Sequence, residues 1–298
     1  MSVKKPKYSV VVVHGIGAGT GEERKGFSER LKELIEKGIP SVEDYWHEAN
    51  LESVNNSFDE QMKSIVDDLL NGYIEKAFEE KLAYEQQVLK KGGNVITDMA
   101  NGLRRLADGV IKVNAPAVLE YLKAKTPGVL DALVDLPLYW DAERAEIIRS
   151  KVREAIHDAD EDNTEGVVLL GHSLGSVIAF DVLAEAAERG EDTPIKALVT
   201  MGSPLKWVTD LRESERELFP EKKIRTNIEP IRWVNFFDKE DPVPLGKKLN
   251  KTTFGEVENV EVMSGKKLIG AHCAYWENEM IARILAEMMV KDPVNLKI

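Results

Sequence analysis

The sequence predicts an α/β protein, a mainly parallel six-stranded sheet flanked by helices and carrying a helical insertion. Three observations lead there. Apolar runs such as "YSVVVV" (Tyr8–Val13) and "VVLL" (Val167–Leu170) are what strands covered on both faces require, because neither face meets water. These runs alternate with stretches whose apolar residues recur every three or four positions, the period of an amphipathic helix. One long segment, 55–137, keeps the helical period and has no strand signal.

Tyr8–Val13 is the first strand. Residues 22–37 follow as a helix, with Phe27, Leu31, Leu34 and Ile35 on one face, and Val42–His47 reads as the second strand. Within the insertion, residues 58–91 predict a long helix through Phe58, Met62, Ile65, Val66, Leu69, Leu70 and Tyr73, broken at Gly92-Gly93. A second helix carries Ile96, Met99, Leu103, Leu106, Val110 and Val113 and ends before Pro116. The alternation resumes with a helix over 142–157, N-capped by Asp141, then strand Val167–Leu170, helix 174–189 and strand Ile195–Met201. A helix over 207–218, strands Ile231–Phe237 and Val257–Met263, and a C-terminal helix over 275–290 complete the pattern. Residues 1–54 and 138–298 therefore form the core, and 55–137 an insertion that is a cap or lid candidate.

Composition narrows the function. The 298-residue chain has a net charge of −12, which opposes the clustered Lys and Arg that phosphate neutralisation needs, so nucleic acid is not an expected partner. No window approaches the roughly 18 consecutive apolar residues of a membrane span. The single Cys273 cannot form an internal disulfide, and only about six apolar residues follow the N-terminal lysines, fewer than a signal peptide holds. A cytoplasmic location is the expectation. No His, Cys or Asp spacing suggests a metal.

Chemistry concentrates in "VVLLGHSLGSVIAF" (Val167–Phe180), a Gly-x-Ser-x-Gly pattern that leaves an apolar strand and opens an apolar helix. In that setting Gly171 and Gly175 let strand and helix pack around a tight, strained turn, and Ser173 stands exposed at the carboxyl edge of the sheet. A bare serine is a weak nucleophile and needs a base, which in turn needs an orienting acid. His272, in "GAHCAYWENE", is the one histidine downstream of Ser173. "WVNFFDKEDPVP" offers Asp238 and Asp241 just past a strand. The bland readings are a serine that only N-caps its helix, a histidine that only packs, and an aspartate that only shapes a turn. His172 reads as a packing and hydrogen-bonding residue, and His47 and His157 as structural or exposed.

The other glycine-rich loop, in "VVVVHGIGAGTG" (Val10–Gly21), fails as a phosphate site. Thr20 stands where a dinucleotide fingerprint starting at Gly15 needs its third glycine, and no Gly-Lys-Ser/Thr follows. It fits an oxyanion hole: His14 and Gly15 shape the loop so that the N–H of Ile16 and the N–H of Leu174 point at one reacting oxygen.

With these motifs the chain resembles the α/β-hydrolase serine esterases and lipases. "VVVVHGIG" is similar to their His-Gly oxyanion segment and "GHSLG" to their elbow. "EDPVP" and "AHCAYW" are similar to the acid and histidine segments of class 3 lipases. The resemblance covers the chain outside the insertion. It implies an α/β-hydrolase fold, a triad of Ser173, Asp241 and His272, and Asp241 over Asp238, because in that family the acid precedes a short apolar Val-Pro run. Two departures stand out: the sheet begins at what the family counts as its third strand, and the insertion follows the second strand instead of the strand after the elbow helix.

The expected activity is carboxylic-ester hydrolysis through an acyl-enzyme on Ser173, without metal or organic cofactor, on a small ester with an apolar acyl group. Thioesterase or acyltransferase chemistry uses the same triad. From other classes, a non-catalytic binding or scaffold module and a nucleotide-binding protein using the Gly15–Gly21 loop are the rivals. The apolar face from Ile96 to Val113, edged by Arg104, Arg105 and Lys112, suits core packing, a homodimer surface or peripheral lipid contact.

Overall fold

Four consecutive valines, stiff at χ1, favour extended chain, and Tyr8–Val13 (β1) is a strand buried along its whole length. In the computed structural model, the described residues are 5–15, 21–49, 51, 139, 142–206, 208–209, 231–241, 243–244, 248–266 and 269–297. The chain divides into two compact units, one of Met1–Asn56 with Leu138–Ile298 and one of Ser57–Pro137. The expected helices of the insertion, its lipid, dimer and lid roles, Ile16, the Asp141 cap and most of the 207–218 helix lie outside the described residues.

After β1 come helix α1 (Gly21–Glu36), a 3-10 turn (Val42–Tyr45) and strand β2 (Trp46–Glu48). Helix α2 (Ala142–Asp160), strand β3 (Gly166–His172), helix α3 (Leu174–Arg189) and strand β4 (Ile195–Met201) follow. The chain ends through β5 (Arg232–Phe237), α4 (Lys251–Phe254), β6 (Val257–Glu261), α5 (Ile269–Cys273) and α6 (Glu279–Val290). The six strands form one all-parallel sheet in the order β2-β1-β3-β4-β5-β6.

One face of the sheet, carrying Val10, Val12, Val168, Leu170 and Val199, packs on Leu31 and Ile35 of α1 and on Ile281, Leu285 and Met288 of α6. Helices α2 and α3 pack on each other and against β1 and β3. Among the described residues no helix is long and apolar enough to cross a membrane.

Two expected elements are revised. The second strand begins only at Trp46, because Val42 N–H bonds back to Ile39 O at 3.0 Å and its chain closes a 3-10 turn first. The C-terminal helix is split: Ala274–Glu277 is a 3-10 turn, and Asn278 then N-caps α6 by accepting from the N–H groups of Met280 and Ile281. The split matters for the site, since it turns Tyr275 and Trp276 inward, where both are buried.

The strand order reverses direction at β1: the chain steps outward to β2, then crosses back to β3 on the other side. The carboxyl edge between β1 and β3 is therefore a topological switch point, the position at which open α/β sheets generally hold ligands. Registers of Val13 with Gly171 and His172 with Met201 bring the ends of β1, β3 and β4 to that edge together.

Candidate active site

Strand β3 runs to His172 and α3 starts at Leu174, so a single residue turns the chain. Ser173 does so at φ 55°, ψ −130°, a region that costs a non-glycine residue about 1–3 kcal/mol. Its surroundings hold it there. Ser173 N–H donates to Met201 O at 3.0 Å, Ser176 N–H donates to Ser173 O at 2.9 Å, and the Ser176 hydroxyl donates to Gly171 O at 3.0 Å.

The two glycines are required by contact. A Cβ on Gly175 would lie 2.0 Å from Val13 O, and one on Gly171 would lie 2.7 Å from Gly175 O and from Ser176 Cα. Helix α3 thus enters against the end of β1 at a distance that admits no side chain. The Ser173 hydroxyl does not cap its helix. Ser173 is buried, where an exposed serine was expected, because the Gly15 segment lies over the turn: a Cβ on Gly15 would sit 3.7 Å from Ser173 Cβ and 3.8 Å from Leu174 N. Leu174 N–H, in the first turn of α3, has no intrahelical acceptor.

Between the two candidate acids the geometry is unequal. His272, on α5, directs Nδ1 at Asp241 Oδ2, 2.9 Å away, with both side chains buried. Facing a carboxylate, Nδ1 carries the proton, and Nε2 is left as the basic nitrogen. Asp241 Oδ1 accepts from Val243 N–H at 2.9 Å. Asp238 instead braces its loop, its two oxygens accepting from Glu240 N–H at 2.9 Å and Ser264 N–H at 2.8 Å. Among the described residues no hydrogen bond joins Ser173 Oγ to His272. Such bonds are often long without substrate and tighten when it binds.

His172 donates from Nε2 to the carbonyl oxygen of His272 at 2.9 Å, and the two rings lie 4.6 Å apart. Burial, with His272 beside it, holds the His172 imidazole well below its ordinary range, so it stays neutral and a donor. His14, at the end of β1, stacks on Trp276 with centroids 4.9 Å apart, and its Nε2 lies 3.9 Å from Glu48 Oε2. Burial pushes the Glu48 carboxyl up, and Ser28 on α1 donates to its other oxygen.

Three residues around the acid–histidine pair were given no role there from the sequence. Tyr275 donates its hydroxyl to Asp241 Oδ2 at 2.8 Å and accepts from Asp238 N–H at 2.8 Å. Gly202, at φ 55°, follows β4 beneath the pair: a Cβ there would lie 2.9 Å from Asp241 Oδ2 and 3.0 Å from His272 Cε1. Trp276 walls the histidines. The signal for Tyr275 was its spacing, three residues past His272 and so on the same side of a helical turn. Among the described residues no group of three or more His, Cys, Asp or Glu side chains is placed to hold a metal ion.

No protein-family model matches the chain, and no curated protein matches it.

Proposed function

We propose that the chain is a serine hydrolase of the α/β-hydrolase type that cleaves carboxylic esters. One observation carries the reading: a buried histidine with Nδ1 on a buried aspartate, which leaves Nε2 basic, in a fold that also holds a serine in a strained strand-to-helix turn. A serine that merely capped a helix would not need the backbone strain.

In this reading Ser173 Oγ attacks the ester carbonyl carbon while its proton passes to His272 Nε2. Asp241 holds the imidazole by Nδ1–H and stabilises the imidazolium. The oxyanion is received by the N–H groups of Leu174 and Ile16, with the α3 dipole behind the first, and each such donor is worth about 3–4 kcal/mol of barrier. Collapse breaks the carbon–oxygen bond and the alcohol leaves with the proton from Nε2. A water, deprotonated by the same nitrogen, then releases the acid and restores Ser173. The elbow support of Gly171 and Gly175, and the loop support of His14 and Gly15, keep the donors and the nucleophile in one place.

The substrate proposed is a small ester with an apolar acyl group. The test is turnover of p-nitrophenyl esters from acetate to palmitate by wild type and Ser173→Ala. Saturable turnover lost by at least about a thousandfold in the variant supports the reading. Equal rates for the two proteins would overturn it.

A further inference from the structure

Asp241 Oδ2 is shared: His272 Nδ1–H reaches it at 2.9 Å and the Tyr275 hydroxyl at 2.8 Å. Resting on the serine-hydrolase reading, we propose that Tyr275 is a positioning residue, whose hydroxyl, held from behind by Asp238 N–H, fixes Asp241 under His272 and tunes how strongly that carboxylate stabilises an imidazolium.

Each link in this relay is oriented by the next. Asp238 is anchored through Glu240 N–H and Ser264 N–H, so its own N–H is aimed at Tyr275 Oη, 2.8 Å away. With that lone pair engaged, the Tyr275 proton is directed to Asp241. Burial, followed by the charge of Asp241, pushes the phenol up, so the proton stays on Tyr275 while His272 cycles. Val243 N–H occupies Oδ1, and the carboxylate is held at both oxygens.

The physical consequence has a sign. A donor on Oδ2 spreads the carboxylate charge and competes with His272 for the same oxygen; its removal concentrates that charge and favours the imidazolium. Among the described residues, His172 lies against His272, Cys273 near Asp241 and Asp238 against Tyr275, and the variants below leave all three unchanged.

The experiment compares wild type, Tyr275→Phe and a protein carrying 3-fluorotyrosine at 275, with p-nitrophenyl butyrate from pH 5 to 9. For Tyr275→Phe, kcat is expected to fall about tenfold with KM changed by less than about twofold. The acidic limb of kcat/KM should move to higher pH by about half a unit. The fluorinated ring, a stronger donor of the same shape, should move that limb the opposite way, and it carries the test if the phenylalanine variant does not fold. A tyrosine that only packs would leave both limbs on the wild-type curve, and that result overturns the proposal. If wild type neither turns over the ester nor takes a fluorophosphonate on Ser173, the hydrolase reading itself fails and the relay with it.

Discussion

Two Ser, His and Asp groupings lie at opposite ends of the central strands. Near the amino ends of β1 and β3, Ser9 donates to Asp162 Oδ2 at 2.6 Å and His47 Nε2 lies 2.7 Å from the same oxygen. At the carboxyl ends, Asp241 takes His272 by Nδ1, and Ser173 stands apart at positive φ. The residue types are identical and the wiring is not. Ser9 gives its proton straight to a carboxylate, with no imidazole between them, and its backbone is ordinary strand. That arrangement ties the loop before β3 to β1, with Thr164 Oγ1 3.4 Å from Ser9 and Lys7 paired to Glu165. The two groupings therefore differ in which histidine nitrogen faces the carboxylate and in the backbone that holds the serine, and the proposed chemistry rests on that difference.

The largest expected contrast is in turnover. His272→Ala should lower kcat/KM by at least about a thousandfold with little change in melting temperature. His47→Ala should leave turnover within about twofold of wild type and cost about 1 kcal/mol of stability, since its partner is partly exposed. Parallel ester assays and thermal melts decide it; comparable activity losses at the two histidines would dissolve the distinction.

Next in size is the backbone. A methyl group at Gly175 has Val13 O in its way at 2.0 Å, whereas one at Gly190 meets nothing within 4 Å and suffers only the strain of φ 65°. Gly175→Ala should cost about 3 kcal/mol or more and displace the elbow, and Gly190→Ala about 1–2 kcal/mol with turnover intact. Urea unfolding of the two variants measures the difference, and equal costs would mean that the α3–β1 approach is looser than described.

A subtler expectation concerns pH. His172 is neutral in the fold and depressed well below its unfolded value near 6.5, so below that pH the unfolded chain binds the extra proton. Its contribution to stability is complete above about pH 6.5 and is lost as pH falls toward the folded value, at up to about 1.4 kcal/mol per pH unit. His172→Gln, which retains a donor for the His272 carbonyl, should flatten the stability profile between about pH 6.5 and 5 relative to wild type. Unfolding at several pH values checks it, and an unchanged slope would place the titration elsewhere.

Much of the sheet could be read from sequence because burial on both faces removes alternation: β1 and β4 matched their apolar runs, and α3 began and ended where its glycines punctuate it. Elements whose form depends on one turn were harder. Val42 and Tyr45 favour a strand, but the segment between them is Glu43-Asp44 and closes a 3-10 turn; the apolar period of the last helix runs through Asn278, which nonetheless caps it. In the candidate site, motif and chain order singled out Ser173, His272 and an acid after β5, and the structure brings His272 and Asp241 into contact. Choosing between Asp238 and Asp241 took the resemblance, and the geometry distinguishes them by what each carboxylate accepts. Tyr275 lies in the histidine segment and at helical spacing from His272, but its hydroxyl meets Asp241 only because the 3-10 turn after His272 brings it there.

Intact-protein mass after incubation with a fluorophosphonate, on wild type and Ser173→Ala side by side, bears on whether the carboxyl-edge grouping is activated and the amino-edge one is not. The account predicts one adduct on wild type and none on the variant, with Ser9 unlabelled in both. A folded wild type that takes no adduct, or a Ser173→Ala protein that still takes one, would contradict it.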